Sequence, residues 1–145
     1  MYQDTITLFN RIDTASGTMW HPVILHNVDL NADKGAMLAQ YGDSCKDTAK
    51  LHISYTGDPA IIEGLTYYGP KAYRALSSKS GAITFQSGSE FDFFIAGALS
   101  FQTDIADDDY ADGFYNYANR TYDDCFCITS VAKYSVIPHF EIMAR

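Results

Sequence analysis

Basic residues are scarce in this chain: ten Lys and Arg stand against 18 Asp and Glu, giving a formal charge of −8 and a pI near 4.7. A protein without a basic stripe has little with which to neutralise phosphates, so specific nucleic-acid binding is not expected. Long hydrophobic runs are missing too. No apolar stretch reaches the ~18 residues that a membrane helix needs, and no membrane partner is expected. The opening MYQDTITLF has neither a charged leader nor an apolar centre, so a signal peptide is not expected and the reading is of a soluble, not conventionally secreted chain. Cysteine is sparse and odd in number, at positions 45, 125 and 127. Cys125 and Cys127, two apart on a strand, project on one face without the placement of an ordinary disulfide pair. Reduced thiols in a protein made in the cytosol are the expectation.

The usual catalytic spacings are also lacking. No glycine pattern sits between a strand and a helix to cradle phosphate, and neither G-x-S-x-G nor H-E-x-x-H occurs. His21, His26, His52 and His139 are spread over three expected strands without close His/Cys spacing. His26 reads as a hydrogen-bonded core histidine. A zinc site drawing Cys125 and Cys127 to a distant His is the metal option that spacing leaves open. Glu63, Glu90 and Glu141 fall on separate elements, so no carboxylate pair is nominated for acid–base work. The acidic cluster Asp104, Asp107, Asp108, Asp109 and Asp112 fails as a calcium loop. Counted from Asp108, Gly113 is sixth as required, but Tyr110 stands third and Asn119 twelfth. The expectation is a non-enzyme with no cofactor and no metal.

What the chain does have is aromatic residues: eleven Tyr and nine Phe beside one Trp. These types favour strands, and Tyr suits half-wet contacts. With 145 residues, 47% hydrophobic and 19% charged, the composition is that of a folded domain able to bury roughly 70% of its unfolded surface. One domain over residues 1–145 is expected.

The alternation of apolar residues predicts a mainly β (α+β) fold of about six to eight short strands with two short helices. The expected strands begin with Thr5 to Arg11 and Trp20 to Leu30, the second with Trp20, Ile24, His26, Val28 and Leu30 on one face and Pro22 marking an edge or bulge. A helix capped by Asn31, stacking Met37 on Tyr41 and ending at Gly42, comes next. Lys50 to Tyr55 is the cleanest strand, with Leu51, Ile53 and Tyr55 inward. A small hairpin about Gly64 and a helical turn opened by Pro70 follow. Ala82 to Gln86 and Phe91 to Ala96 are expected to pair as a hairpin, and Asp107 to Asn119 to form a helix carrying Tyr110, Phe114 and Tyr117 on one stripe. The chain closes with Cys125 to Val131 and Tyr134 to Met143, reversing at Ala132-Lys133. Val136, Phe140 and Ile142 share one face there, and His139 and Glu141 the other.

The segments MYQDTITLFNRI, HNVDLNADKGAMLAQYG with KLHISY, SGSEFDFFIAG, and DYADGFYNYANRTYD running into CFCITSVAKYSVIPHFEIM cover most of the chain. In these the sequence resembles small structural proteins from the head–tail gene modules of tailed bacteriophages. The resemblance implies a virion component of the neck, a head-closure or connector subunit built as a small antiparallel β-barrel or sandwich and assembled into a homo-oligomeric ring. Adjacent portal, connector or tail proteins would be its partners. An acidic surface suits a channel through which DNA slides without sticking. The rival readings are a tail-terminator or minor tail protein, a barrel holding a small apolar ligand, and an enzyme with a hidden metal or thiol site.

Pro138 lacks a backbone donor, which points to the last strand as an edge or bulged strand open to another chain. Tyr134, Ser135, Ile137, His139, Glu141 and Met143 are therefore the candidate subunit interface.

Overall fold

The computed structural model describes residues 2–32 and 49–145. In chain order the elements are β1 (Asp4–Thr14), β2 (Gly17–Ala32), β3 (Ala49–Ser54), β4 (Ile61–Ile62), β5 (Leu65–Tyr67), α1 (Pro70–Ala75), β6 (Ala82–Ile83), β7 (Phe93–Ala96), β8 (Ile105–Ala106), α2 (Phe114–Thr121), β9 (Cys125–Tyr134) and β10 (His139–Ala144). Strands run in the order β1-β7-β9-β10-β3-β2, and β1 also pairs with β2. That last pairing closes a six-stranded antiparallel barrel, to which β8 adds beside β2. The expected class, a small antiparallel β-barrel with two short helices, is what forms. Closure removes the open edges that a flat sheet would leave.

Two apolar layers follow from strand alternation. Ile6, Leu8, Val23, Leu25, Leu51, Ile53, Phe94, Phe126, Ile128, Phe140 and Ile142 fill the barrel interior. Phe9, Trp20, Phe93, Ile95, Ile105 and Cys125 turn the other way and meet Phe114 and Ala118 of α2. Residues Ile6 to Asn10 are consequently buried without a break, which is why β1 alternates so weakly in sequence: both its faces are covered. A second small sheet, β4-β5-β6, adds Ile62 and Ile83 to the barrel core.

Strand β2 departs from the expected face. Register with β1 passes from Ile6↔Leu25 to Asp4↔Val28, so His26 and Asn27 together oppose Thr5. Asn27 takes φ 56°, a conformation that Asn tolerates better than most residues. This bulge shifts the inward set from Val23 and Leu25 to Val28 and Leu30. Ile24 and His26 are left off the interior, Trp20 joins the outer layer, and His26 is exposed rather than a core histidine. Pro22 pairs only with Phe9, on a stretch of β2 whose second side is bonded at Met19–Trp20 and at Asp29–Ala32. Its missing N–H is thus harmless.

Strand β3, the β4–β5 hairpin and α1 with Pro70 at its start form as expected. Asn31 pairs with Lys50 as part of β2 instead of capping a helix. The remainder of that expected helix, with Met37, Tyr41 and Gly42, lies outside the described residues.

The expected hairpin between residues 82–86 and 91–96 does not form. β6 runs parallel to β5, while β7 pairs with β1 and β9. A buried polar knot joins the two segments instead. Asp92 accepts from the Arg11 and Gln86 backbone N–H groups, Asn10 Nδ2 and Gln86 Nε2 at 2.8–2.9 Å. Burial raises the Asp92 carboxyl to about 7 against the opposing pull of those donors.

The expected helix from Asp107 is interrupted. A short 3-10 turn spans Asp107–Asp109, Gly113 sits at φ 88°, and α2 starts only at Phe114. Asp107 Oδ1 accepts from both Trp20 Nε1 (2.9 Å) and the Phe114 N–H (2.8 Å), tying the helix start to the barrel wall. A Cβ on Gly113 would come within 3.2 Å of this carboxylate. Tyr110, Phe114 and Tyr117 still stack, with ring centroids 4.6–6.2 Å apart.

The closing hairpin reverses at residues 135–138, four residues later than Ala132-Lys133, because β9 continues to Tyr134. Val136 and Pro138 lie in that turn. β10 pairs with β9 on one side and β3 on the other. The last strand is therefore interior to the barrel wall and not an edge. The alternation within it holds: Phe140, Ile142 and Ala144 point in, and His139, Glu141 and Met143 point out.

Candidate functional site

Three strands of the barrel wall carry a polar cluster on their outer face. Register places Asp29 of β2 opposite His52 of β3, and His52 opposite Glu141 of β10. His139 stands two residues before Glu141 and so shares its face. His52, His139 and Glu141 each offer one ligand-type atom, and these atoms lie within 4.8 Å of one another. All three residues are partly buried.

The ring orientations have identifiable causes. His139 Nδ1 lies 2.7 Å from the Ile137 carbonyl. A carbonyl only accepts, so Nδ1 carries the proton, and in the neutral ring Nε2 keeps its lone pair. Tyr134 stacks on the same imidazole at 4.9 Å. His52 Nδ1 faces Asp29 Oδ2 at 3.6 Å, and its Nε2 faces Glu141 Oε2 at 3.4 Å. Lys50 Nζ sits 3.6 Å from the other Glu141 oxygen, Oε1. The surroundings are electronegative: burial first, then Asp29 and Glu141, push the Tyr2 phenol upward.

The other nominated groups are dispersed. Asp104 binds His21 at 2.6 Å, Asp107 holds the start of α2, and Asp112 meets Arg120 at 3.3 Å. His26 lies 3.4 Å from Glu63. Cys125 is buried in the outer layer and Cys127 half-buried beside it, and burial pushes the Cys127 thiol up to about 11. Among the described residues neither cysteine joins a metal-type cluster. Cys45 lies outside the described residues.

A model of a family of unknown function, DUF6751, matches residues 1–145. The chain belongs to DUF6751. No curated protein and no solved structure matches it. On this DUF6751 barrel the six nominated interface residues fall into two groups. Tyr134, Ser135 and Ile137 lie at the exposed β9–β10 tip, whereas His139, Glu141 and Met143 lie half-buried on the outer wall. The tip also presents Val136, which sequence alternation assigned to the core and which is 96% exposed; Ile137 is 75% exposed.

Proposed function

We propose that this protein is a non-enzymatic structural subunit of the head–tail region of a tailed-phage virion, a head-closure or connector subunit that assembles into a ring. The virion part rests on the sequence segments that resemble such proteins. The observation that carries the assembly part is the β9–β10 tip, where Val136 and Ile137 stand in solvent beside the half-exposed Tyr134. Consecutive bare aliphatic residues at a hairpin tip are costly in a lone monomer and are the kind of anchor that a second copy covers. A barrel interior packed with aliphatic and aromatic side chains favours this reading over a carrier of a small apolar ligand.

The test is the mass of the purified chain in solution, by light scattering and native mass spectrometry, with rings sought by negative-stain microscopy. A defined oligomer is expected, dissociating in the double variant Val136→Asp, Ile137→Asp while circular dichroism remains native. A wild-type chain that stays monomeric at high concentration, or an oligomer indifferent to both substitutions, overturns the assembly reading.

A further inference from the structure

The geometry points to a divalent transition-metal site on the outer barrel wall, with His52 Nε2, His139 Nε2 and a Glu141 carboxylate oxygen as ligands and zinc as the best-suited ion. Two imidazoles and one carboxylate are a recurrent donor set for zinc and similar ions, whereas magnesium and calcium prefer all-oxygen surroundings. The atoms are already within 4.8 Å of one another. Metal–ligand bonds of about 2.0–2.2 Å hold tetrahedral donors about 3.4 Å apart, a distance at which His52 Nε2 and Glu141 Oε2 already stand. His139 completes the group, with its ligand atom within 4.8 Å of the other two.

What distinguishes this cluster from a chance grouping of surface side chains is its second layer. Metal-bound histidines commonly give their other N–H to a carbonyl or carboxylate. Here His139 does so to the Ile137 carbonyl at 2.7 Å, and His52 turns its Nδ1 to Asp29. With Nδ1 so engaged in each ring, Nε2 is the nitrogen left to meet a metal. The Glu141 oxygens are divided in the same sense, Oε1 toward Lys50 and Oε2 toward His52. The carboxylates of Asp29 and Glu141 and the chain's charge of −8 favour a dication, and Lys50 is the opposing cation in the cluster. Three protein ligands leave the fourth position, on the solvent side, to water.

The test uses the full chain stripped with chelator and titrated with Zn²⁺ by calorimetry, and with Co²⁺ followed by visible absorption. One ion per chain is expected. His52→Gln and His139→Gln should each weaken binding by more than the roughly 10–100-fold that loss of an outer partner costs, and Asp29→Asn by about that smaller factor. His26→Gln, which alters a separate His–Glu pair, should leave affinity unchanged. Native circular dichroism in each variant separates lost ligation from lost folding. No stoichiometric binding by the wild-type chain, affinity indifferent to His52→Gln and His139→Gln, or binding abolished by thiol alkylation instead overturns the assignment.

Discussion

Replacing Phe140 with alanine probes the barrel at the strand that sequence reasoning read as an edge or bulged strand. Phe140 is fully buried, and its ring lies 4.6 Å from Tyr67, 5.0 Å from Phe85 and 5.2 Å from Tyr55 between centroids. Truncating a buried Phe to Ala costs about 3–5 kcal/mol through lost transfer energy and the cavity left behind. Three aromatic partners, each pair worth about 0.5–1.5 kcal/mol beyond area burial, place this site in the upper half of that range. A loss of about 4–5 kcal/mol compares with a total stability of roughly 5–15 kcal/mol for a domain. With a urea slope of about 2 kcal/mol per molar, the unfolding midpoint should fall by about 2 M. Thermal unfolding should drop by roughly 8–20 °C for a chain of this size. The companion substitution Val136→Ala, four residues earlier but 96% exposed, should stay within about 0.5 kcal/mol of wild type. Equilibrium urea unfolding followed by circular dichroism measures both. A loss below about 1.5 kcal/mol for Phe140→Ala with an unchanged slope would refute the enclosure of this ring by Tyr55, Tyr67 and Phe85.

Two further outcomes follow from buried titratable groups. Burial raises Asp92 from 3.8 to about 7, so below pH 4 both folded and unfolded chains hold the proton and its stabilising contribution is complete. Between pH 4 and 7 the unfolded chain releases that proton while the folded one retains it, and the contribution declines by on the order of 4 kcal/mol. The Asp92 ¹³Cγ resonance should titrate near pH 7, and a midpoint below 4 would mean that the four donors outweigh desolvation. The Cys127 thiol, pushed up to about 11 from 9.0 by burial, should be alkylated at pH 8 about 100-fold more slowly than an unperturbed thiol; a rate equal to that of a free peptide cysteine contradicts its burial.

Local alternation was a sound guide wherever a strand had one covered face and no irregularity. Leu51 and Ile53 against His52 and Ser54 is such a case, as is Phe140 and Ile142 against His139 and Glu141. It misled at β2, where the bulge at His26–Asn27 shifts the inward set, and at residues 107–113, where Gly113 adopts a positive φ that no helical period announces. The final turn was placed too early because Val131 and Ala132 are only partly covered and Lys133 and Tyr134 are exposed, which blurs the alternation. Glycine-flanked apolar runs at residues 82–96 looked like a hairpin, yet the Asp92 side-chain knot and a single backbone bond from Asp92 N–H to the Gln86 carbonyl join them, while their ladders form elsewhere.

The metal-type cluster was half visible. His139 and Glu141 on one strand face, and an outward His52, are legible as alternation. Their meeting depends on β3 pairing with β10 in one register across a long loop of chain, which no local pattern encodes. An H-x-E on one outward strand face together with an outward His on another well-formed strand was the available signal.

The bulge in β2 sets where along the strand a residue can be spared. The inward residues change parity across it, from Val23 and Leu25 to Val28 and Leu30. Deleting Asn27 would bring all four to alternate positions of one regular ladder, still facing the interior. Deleting Ile24 instead would make Val23 and Leu25 direct neighbours, and one of the two would have to leave the core. One residue in excess thus acts as a gear between the part of β2 that follows β1 and the part that follows β3, and a single-codon deletion is expected to be better tolerated at Asn27 than at Ile24.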